Sequence, residues 1–257
     1  KAERDGQDGT GITTNGIGWH DGPVVGFDTE TTGVDVGVAR IVTAAVVRRD
    51  AVGTRQRTWL VDPGVPIPAA ATAVHGITTE QAHAEGRPPQ EALDEVASVL
   101  VSTWRAGVPV VVFNACYDLT LLDVELRRNG LPTVPLRLGR TAAPVIYPLV
   151  LDRAEERYRP GKRRLGDLCA VYGVATPEAL HAAHVDVVAT LAVLDGIVAA
   201  HPYLADLDLT TLQAYQAQAH LTWAESFNAW RDARNLPGPG AELDWPVRGT
   251  AAVAQAV

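Results

Sequence analysis

The sequence predicts an α/β fold in which helices flank a mixed five-stranded sheet. Apolar segments predict three strands in succession, near residues 24–29, 41–48 and 56–61, and such a run is typical of an antiparallel meander. Two later strands, near 109–113 and 144–149, are separated by helical segments, which is typical of parallel strands that extend a sheet. The expected sheet therefore has three antiparallel strands followed by two parallel ones.

The helices follow from apolar periodicity and from capping residues. Leu119, Leu122 and Leu126 recur at i, i+3 and i+7 and form an apolar stripe. Thr78 or Thr79 can cap a helix start. The predicted helices lie near residues 69–74, 78–84, 90–105, 117–128, 164–172 and 184–199. Beyond residue 201, a second apolar stripe predicts one long helix or two that pack on the domain. Its members are Leu209, Leu212, Leu221, Trp223, Phe227 and Trp230.

Composition favours a globular enzyme. The chain has 257 residues, of which 47% are apolar, enough to bury one large core and a small appendage. No stretch of about 20 apolar residues and no signal peptide is evident, so we expect a cytoplasmic protein without a membrane partner. The two cysteines, Cys116 and Cys169, lie inside apolar segments, which is typical of reduced thiols.

Two carboxylates mark the end of the first strand. Asp28 and Glu30 follow the apolar residues 24–27 and precede a Thr-Gly turn. Residues i and i+2 of a strand share one face, and adjacent carboxylates at the edge of a core repel unless a cation neutralises them. This segment by itself supports a metal site and a solvated strand end equally well.

Two later segments each add a carboxylate. A buried strand near 110–113 leads into a helix whose first turn contains Asp118. Further along, His181 precedes Asp186 by five residues, at the start of another helix. These additional groups shift the balance towards a metal site.

The three segments resemble, in the same order, the motifs of the DEDD-type 3′ to 5′ exonucleases of the histidine branch, a family that includes the proofreading subunit of bacterial DNA polymerase III. The first motif, Asp-x-Glu-Thr-Thr-Gly, is at residues 28–33, the second, Asn-Ala-x-x-Asp, at 114–118, and the third, His-x-Ala-x-x-Asp, at 181–186. Residues 74–78 supply a fourth landmark. The motifs are jointly specific although each alone is weak.

The resemblance implies a ribonuclease H-like fold and a two-metal phosphodiester hydrolysis with Mg²⁺ or Mn²⁺ as cofactors. Such hard cations prefer oxygen ligands, and two of them roughly 4 Å apart stabilise the attacking and leaving oxygens at phosphorus. By the same resemblance, Asp28 bridges both ions and Asp118 supports one of them. Glu30 and Asp186 complete the site of the other ion, which carries the nucleophilic water, and His181 accepts the proton of that water.

A second histidine, His184, competes with His181 for the role of general base. In an uninterrupted helix, His181 would lie about 140° and His184 about 200° from Asp186, so neither would share its face. The family places the first histidine on the loop before the helix, and only His181 has the five-residue spacing. Histidine suits this role because its ordinary pKa of about 6.5 supplies a neutral base at pH 7. We expect His181 to be the base and His184 to be an exposed residue of the first turn.

The net charge of −8 is unusual for a nucleic-acid enzyme, because surfaces that bind phosphate are usually basic. A basic stretch over residues 153–164 offsets this charge locally and makes Lys162, Arg163 and Arg164 candidates for gripping the substrate backbone. The alternative for this stretch is a solvated loop and helix start. An acidic chain suits an enzyme that engages only a few terminal nucleotides.

Three further candidates for substrate binding lie in or near the motifs. By resemblance, Thr31 hydrogen-bonds the terminal sugar and Asn114 braces the metal site or the base. His75 either lies near the terminal nucleotide or builds a tight turn with Gly76, and the sequence supports the turn at least as well.

The predicted function is a metal-dependent 3′ to 5′ exonuclease that releases 5′ mononucleotides from single-stranded or frayed ends, with single-stranded DNA as the expected partner. An RNA-trimming exoribonuclease shares the five catalytic positions, whereas a non-catalytic scaffold is disfavoured because all five are present. Residues 218–223 loosely resemble peptides that bind sliding clamps, so a clamp or other replication proteins are candidate partners. The predicted division is a flexible leader at 1–21, an exonuclease domain at 22–200, a helical extension at 201–236 and a tail at 237–257.

Overall fold

The computed structural model describes residues 18–175 and 181–249. Within these residues a five-stranded mixed sheet has the strand order β3-β2-β1-β4-β5. Its strands are β1 (Val24–Thr31), β2 (Ile41–Asp50), β3 (Gly53–Leu60), β4 (Val110–Val111) and β5 (Val145–Ile146). The first three form the antiparallel meander, while β4 runs parallel to β1 and β5 parallel to β4. The predicted α/β fold with a mixed five-stranded sheet is confirmed.

Helices lie on both faces of this sheet and extend beyond it. Those before β5 are α1 (Ala69–His75), α2 (Thr79–Glu85), α3 (Pro89–Arg105), α4 (Ala115–Arg128) and α5 (Val134–Leu138). Those after β5 are α6 (Pro148–Glu155), α7 (Leu165–Val171), α8 (Ala183–Ala200), α9 (Tyr203–Asp206) and α10 (Leu209–Asp232). The C-terminal helical extension expected from the apolar stripe is therefore α9 and α10.

Side chains of β1 alternate between two cores, as the period of a strand requires. Val25 belongs to the core that the sheet shares with α3 and α4, whereas Val24 belongs to the core built on α8. Gly26 also faces α8, and a Cβ atom there would lie 2.3 Å from Cγ1 of Val187. The missing side chain of Gly26 therefore lets α8 approach β1 closely.

The predicted strand near 144–149 is shorter in the structure. Only Val145–Ile146 pairs with β4, and α6 begins at Pro148. Proline has no N–H to donate to a sheet and its fixed φ suits the first turn of a helix. Neither α6 nor the short helix α5 was predicted from the sequence.

Two glutamines of α10 cover the open edge of β5. Gln213 Oε1 accepts a hydrogen bond from the Val145 N–H at 2.7 Å, and Gln216 Oε1 accepts one from the Tyr147 N–H at 2.7 Å. Gln216 Nε2 in turn donates to the Val145 carbonyl at 3.0 Å. These side chains satisfy the backbone groups that a sixth strand would otherwise pair.

The segment after α10 returns to the domain. Trp245 and Val247 pack against the core of α3 and α4, and the Arg248 N–H donates to Thr120 Oγ1 at 2.9 Å. The predicted tail is thus packed as far as residue 249, while its remainder and most of the predicted leader lie outside the described residues. The domain boundaries stay a prediction.

By length and composition alone, α8 could cross a membrane. This is weak evidence for a membrane span, because core helices of soluble proteins meet the same criterion. Half of this helix is buried within the domain. Its packing against β1 and β2 accounts for its apolar character.

Candidate active site

Three carboxylates converge where β1 ends beside α8. Because Val24 and Gly26 face α8, Asp28 and Glu30 continue the same face of the strand. Asp186 lies in the first turn of α8. One oxygen from each of Asp28, Glu30 and Asp186 lies within 4.8 Å of the other two. The strand period and the start of α8 together bring these three predicted residues to one point.

Asp118 approaches the same point from the other core. It lies in the first turn of α4 and is buried. Thr29, on the opposite face of β1 from Asp28, donates a 2.6 Å hydrogen bond from Oγ1 to Asp118 Oδ1. Repulsion from Asp118 also contributes to the raised pKa of Asp28, so the four predicted carboxylates act as one charged cluster.

Burial raises the pKa of each carboxyl group in this cluster, and repulsion from the other carboxylates adds to it at Asp28 and Glu30. Burial, followed by repulsion from Asp186 and Asp118, raises the pKa of Glu30 to about 8. Burial raises the pKa of Asp118 to about 7, against the opposing hydrogen bond from Thr29. Burial also raises the pKa of Asp28 well above its ordinary value, and that of Asp186 to a lesser degree.

The cluster fits a divalent cation. Four carboxylates supply the oxygen ligands that Mg²⁺ and Mn²⁺ prefer. Within residues 18–175 and 181–249, no lysine or arginine forms an ion pair with any of the four. Their negative charge is therefore not offset by a fixed side chain, and a bound cation would relieve the repulsion.

The two histidines lie on either side of the start of α8. His181 is in the turn before the helix, exposed, with a φ of 80° in the left-handed region. Its backbone N–H donates to Asp186 Oδ1 at 3.0 Å, which holds this uncommon conformation beside the carboxylates. His184 lies in the first helical turn but is half-buried, not exposed as expected. Only His181 occupies the loop position that the motif predicts.

Thr31 forms a small polar cluster with a residue that the sequence analysis did not select. Its Oγ1 donates to the Gly33 carbonyl at 2.8 Å and is 2.9 Å from the hydroxyl of Tyr117. Tyr117 also donates to the same carbonyl, and burial raises its pKa to about 12. The only sequence signal for Tyr117 was its position next to Asp118 inside the second motif.

His75 serves the turn and also faces the site. Gly76 ends α1 in the left-handed conformation, and His75 Nδ1 accepts a 3.2 Å hydrogen bond from the Ile77 N–H. Nε2 is therefore the protonated nitrogen. It is buried, faces the backbone of Thr31 and has no hydrogen bond of normal geometry among the described residues. Burial lowers the pKa of this imidazole.

Asn114 braces the start of α4. Its Oδ1 accepts a 2.6 Å hydrogen bond from the hydroxyl of Tyr147, the residue that precedes α6. Asn114 occupies the N-cap position but makes no side-chain cap bond there. Its side chain thus links the second motif to the β5–α6 connection.

The basic stretch divides into structural and exposed cations. Arg163 donates to the fully buried carboxylate of Asp152, as does Arg159 at 2.7 Å, and the Tyr172 hydroxyl donates to it at 2.8 Å. Arg163 is therefore engaged in the interior, and its prediction as a substrate-gripping residue is not supported by this geometry. Lys162 and Arg164 are exposed, and the described residues include no ion pair for either of them.

A protein-family model described as exonuclease, of the RNase T type, matches residues 25–194. The chain belongs to the exonuclease family. It is 30% identical over 189 residues to a protein named as an uncharacterized exonuclease of Escherichia phage 186, spanning 70% of this chain and 90% of the phage protein. It is also 33% identical over 172 residues to the PolC-type DNA polymerase III of Streptococcus suis, but spans only 11% of that protein. An epsilon-like protein of Rhodobacter capsulatus is 40% identical over 107 residues, which are 37% of this chain and 13% of that protein.

Solved structures of family members share the fold. Exonuclease I of E. coli in complex with a dA16 oligonucleotide superimposes with a TM-score of 0.62 at 20% identity, covering 72% of this chain and 42% of that one. The zinc-bound form of its complex with single-stranded DNA gives a TM-score of 0.63 over the same shares. This exonuclease-family chain therefore spans less than half the length of its solved neighbours, and α10 lies beyond the residues that the family model matches.

Proposed function

We propose that this protein is a divalent-metal-dependent exonuclease that degrades single-stranded DNA from its 3′ end and releases 5′ mononucleotides. The observation that carries the proposal is the cluster of Asp28, Glu30, Asp118 and Asp186, whose pKa values are raised by burial and which no lysine or arginine of the described residues neutralises. The family match limits the chemistry to hydrolysis of nucleic acid by an exonuclease. The DNA preference is supported by exonuclease I, which was solved with DNA oligonucleotides.

Asp28, Glu30 and Asp186 would hold one cation between them, and Asp118 would help to hold a second beside Asp28. When bound, divalent cations offset the negative charge that develops on the phosphate oxygens during displacement. The protein contributes a pre-formed set of ligands on β1, α4 and α8. Because these elements are anchored in two packed cores, the ligands need little reorganisation on binding.

His181 would accept the proton of the attacking water. It lies on the turn before α8, its side chain is exposed, and its backbone is tied to Asp186. This arrangement places an imidazole beside the carboxylates without requiring it to share their helix face. His184, in the first turn of the helix, has no such hydrogen bond to Asp186 among the described residues.

The terminal nucleotide would lie against Thr31, Tyr117 and His75. The hydroxyls of Thr31 and Tyr117 are paired with each other and with Gly33, so they can exchange these bonds for bonds to a sugar. His75 presents a buried N–H on the same side, towards Thr31. These groups recognise a strand end without contacting base edges, which suits sequence-independent degradation.

The decisive experiment is incubation of 5′-labelled and 3′-labelled single-stranded DNA with the protein and Mg²⁺. The expected result is a ladder of shortened 5′-labelled strands and immediate release of labelled mononucleotide from the 3′ end. EDTA should stop the reaction, and a circular single strand of the same length should stay intact. Cleavage of the circle, or release from the 5′ end only, would contradict the proposal. A matched RNA oligonucleotide in the same assay tests the alternative of an RNA-trimming enzyme.

A further inference from the structure

An open groove of about 350 Å³ lies between α6 and α10. Arg153 and Arg157 line it on one side, and Gln218, Thr222 and Trp223 of α10 line it on the other. The α10 side is beyond the residues matched by the family model, so this wall of the groove is an addition to the shared domain.

Arg153 is a cation without an anionic partner in the described residues. Its guanidinium carbon lies 3.8 Å from the centre of the Trp223 ring, and the side chain is half-buried. It makes neither a hydrogen bond nor an ion pair with any described residue. A partly desolvated guanidinium held against an indole ring and lining an open groove is suited to bind an external anion.

The neighbouring charges do not neutralise this groove. The carboxylate of Asp152 already accepts bonds from Arg159 and Arg163, and Arg157 is exposed. Glu155 is not among the residues that line the groove, and it accepts hydrogen bonds from the hydroxyls of Tyr203 and Tyr215. The groove is thus a local cationic surface on a chain whose net charge is −8.

The groove is connected to the active site through Tyr147. This side chain donates to Asn114, at the start of the helix that carries Asp118. Because β4 runs parallel to β1 and β5 parallel to β4, the start of α6 lies at the same end of the sheet as Asp28 and Glu30. A strand whose end is at the carboxylates would therefore have Arg153, in the second turn of α6, at the same end of the sheet.

We propose that the groove between α6 and α10 binds the phosphodiester backbone of single-stranded DNA a few nucleotides from the end that is cleaved. This inference rests on the proposed function. Arg153 and Arg157 would contact phosphate oxygens, and Gln218, Thr222 and Ser226 would add neutral hydrogen bonds. Such contacts carry no sequence information and increase affinity for longer strands.

The test measures binding separately from cleavage. In a protein carrying Asp28→Ala, fluorescence anisotropy with a 5′-labelled 12-nucleotide DNA strand gives Kd over a series of salt concentrations. Adding Arg157→Glu should weaken DNA binding about tenfold. It should also reduce the slope of log Kd against log salt concentration, by about 0.7 for each phosphate that the protein no longer neutralises. Arg55→Glu is the matched control, because Arg55 is exposed on β3, at the opposite edge of the sheet from β5. It should change Kd less than twofold.

Arg153→Ala supplies a second variant, with circular dichroism to verify folding. Equal Kd values for the parent and the Arg157→Glu protein overturn the groove proposal, as does an equal loss of affinity in Arg55→Glu. Displacement of the DNA by polyglutamate at matched charge also overturns it, because the groove would then bind any polyanion. If Arg157→Glu weakens binding but the protein with intact Asp28 cleaves no DNA, the groove stands and the proposed function fails.

Discussion

Asp118 and Asp152 are both buried carboxylates, yet their neighbours are of opposite charge. Asp152 accepts hydrogen bonds from Arg159, Arg163 and the hydroxyl of Tyr172. Asp118 has one hydroxyl donor, Thr29, and shares its surroundings with three other carboxylates. One site has its countercharge built into the chain, and the other leaves the countercharge to be supplied from outside.

The difference indicates that the buried charge of Asp152 serves the structure, whereas that of Asp118 serves the proposed metal site. Removing a buried ion from a complete network leaves its partners unpaired, whereas removing one from a repelling group relieves the others. The same kind of substitution should therefore have opposite effects on stability at the two sites. Activity should respond only at the uncompensated one.

The largest expected effect is on hydrolysis. Asp28→Ala should lower turnover by about 10³-fold or more, because it removes a ligand on which both charge neutralisation and alignment depend. Asp186→Ala should behave alike. Turnover of labelled single-stranded DNA is the measurement, with circular dichroism as the control for folding. Near-parental turnover with unchanged metal stoichiometry would place the chemistry elsewhere.

The two histidines sharpen the comparison within the active site. His181→Ala should lower turnover by roughly 10² to 10⁴, the usual contribution of a positioned general base. His184→Ala, in the first turn of α8, should change it little. Rates at saturating Mg²⁺ measure both variants. If His184→Ala is the impaired protein, the third motif has been aligned incorrectly.

Asp152→Asn tests the compensated site. It should lower the free energy of unfolding by about 3–5 kcal/mol, because two guanidinium groups are left buried without a full countercharge. Urea denaturation measures this loss. A stability equal to that of the parent would show that the network is not needed to hold α6 and α7 in place.

Asp118→Asn should act in the opposite direction in the metal-free protein. The pKa of Asp118 is about 7 in the folded state, so its charge opposes folding above that pH. The amide can still accept the hydrogen bond from Thr29, and removal of the charge should raise the free energy of unfolding by about 1–3 kcal/mol at pH 8 in EDTA. Destabilisation under these conditions would contradict the cost assigned to burying this charge.

The smallest effect is a slope of stability against pH. Glu30 and Asp118 have folded-state pKa values of about 8 and 7, which are above their pKa values in the unfolded chain. At a pH between the unfolded and folded values, the folded protein therefore binds more protons than the unfolded chain. The free energy of unfolding of the metal-free protein should therefore decrease as pH rises from about 4.5 to 8. Melting temperatures in EDTA measure it. Saturating Mg²⁺ should flatten the slope, and an unchanged slope would argue against metal binding at these groups.

Most of the sheet and all four carboxylates could be predicted because they depend on local periodicity. The i, i+2 spacing of Asp28 and Glu30 fixes their shared face, and helix starts fix Asp118 and Asp186. The role of Arg163 could not be predicted in this way. The sequence of the basic stretch does not indicate that Asp152, eleven residues before Arg163, is buried. Nor does it indicate that this carboxylate forms ion pairs with both Arg159 and Arg163.

Long-range contacts account for the remaining differences. The end of the predicted strand near 144–149 became α6, since Pro148 starts a helix there. The residues 218–223 that resemble clamp-binding peptides lie inside α10, with Trp223 stacked between Arg153 and Phe227, so clamp binding has no structural support. Contacts between residues that are far apart in the chain leave no pattern in a local window of sequence.

The two glutamines on β5 have a consequence for solubility. A strand with an uncovered edge can pair with the same strand of another molecule, which is a common route to aggregation. Gln213 and Gln216 prevent this only while α10 is folded against the sheet. A chain that ends before Leu209 would keep all four carboxylates of the cluster and yet expose this edge, so we expect such a shortened chain to self-associate more readily.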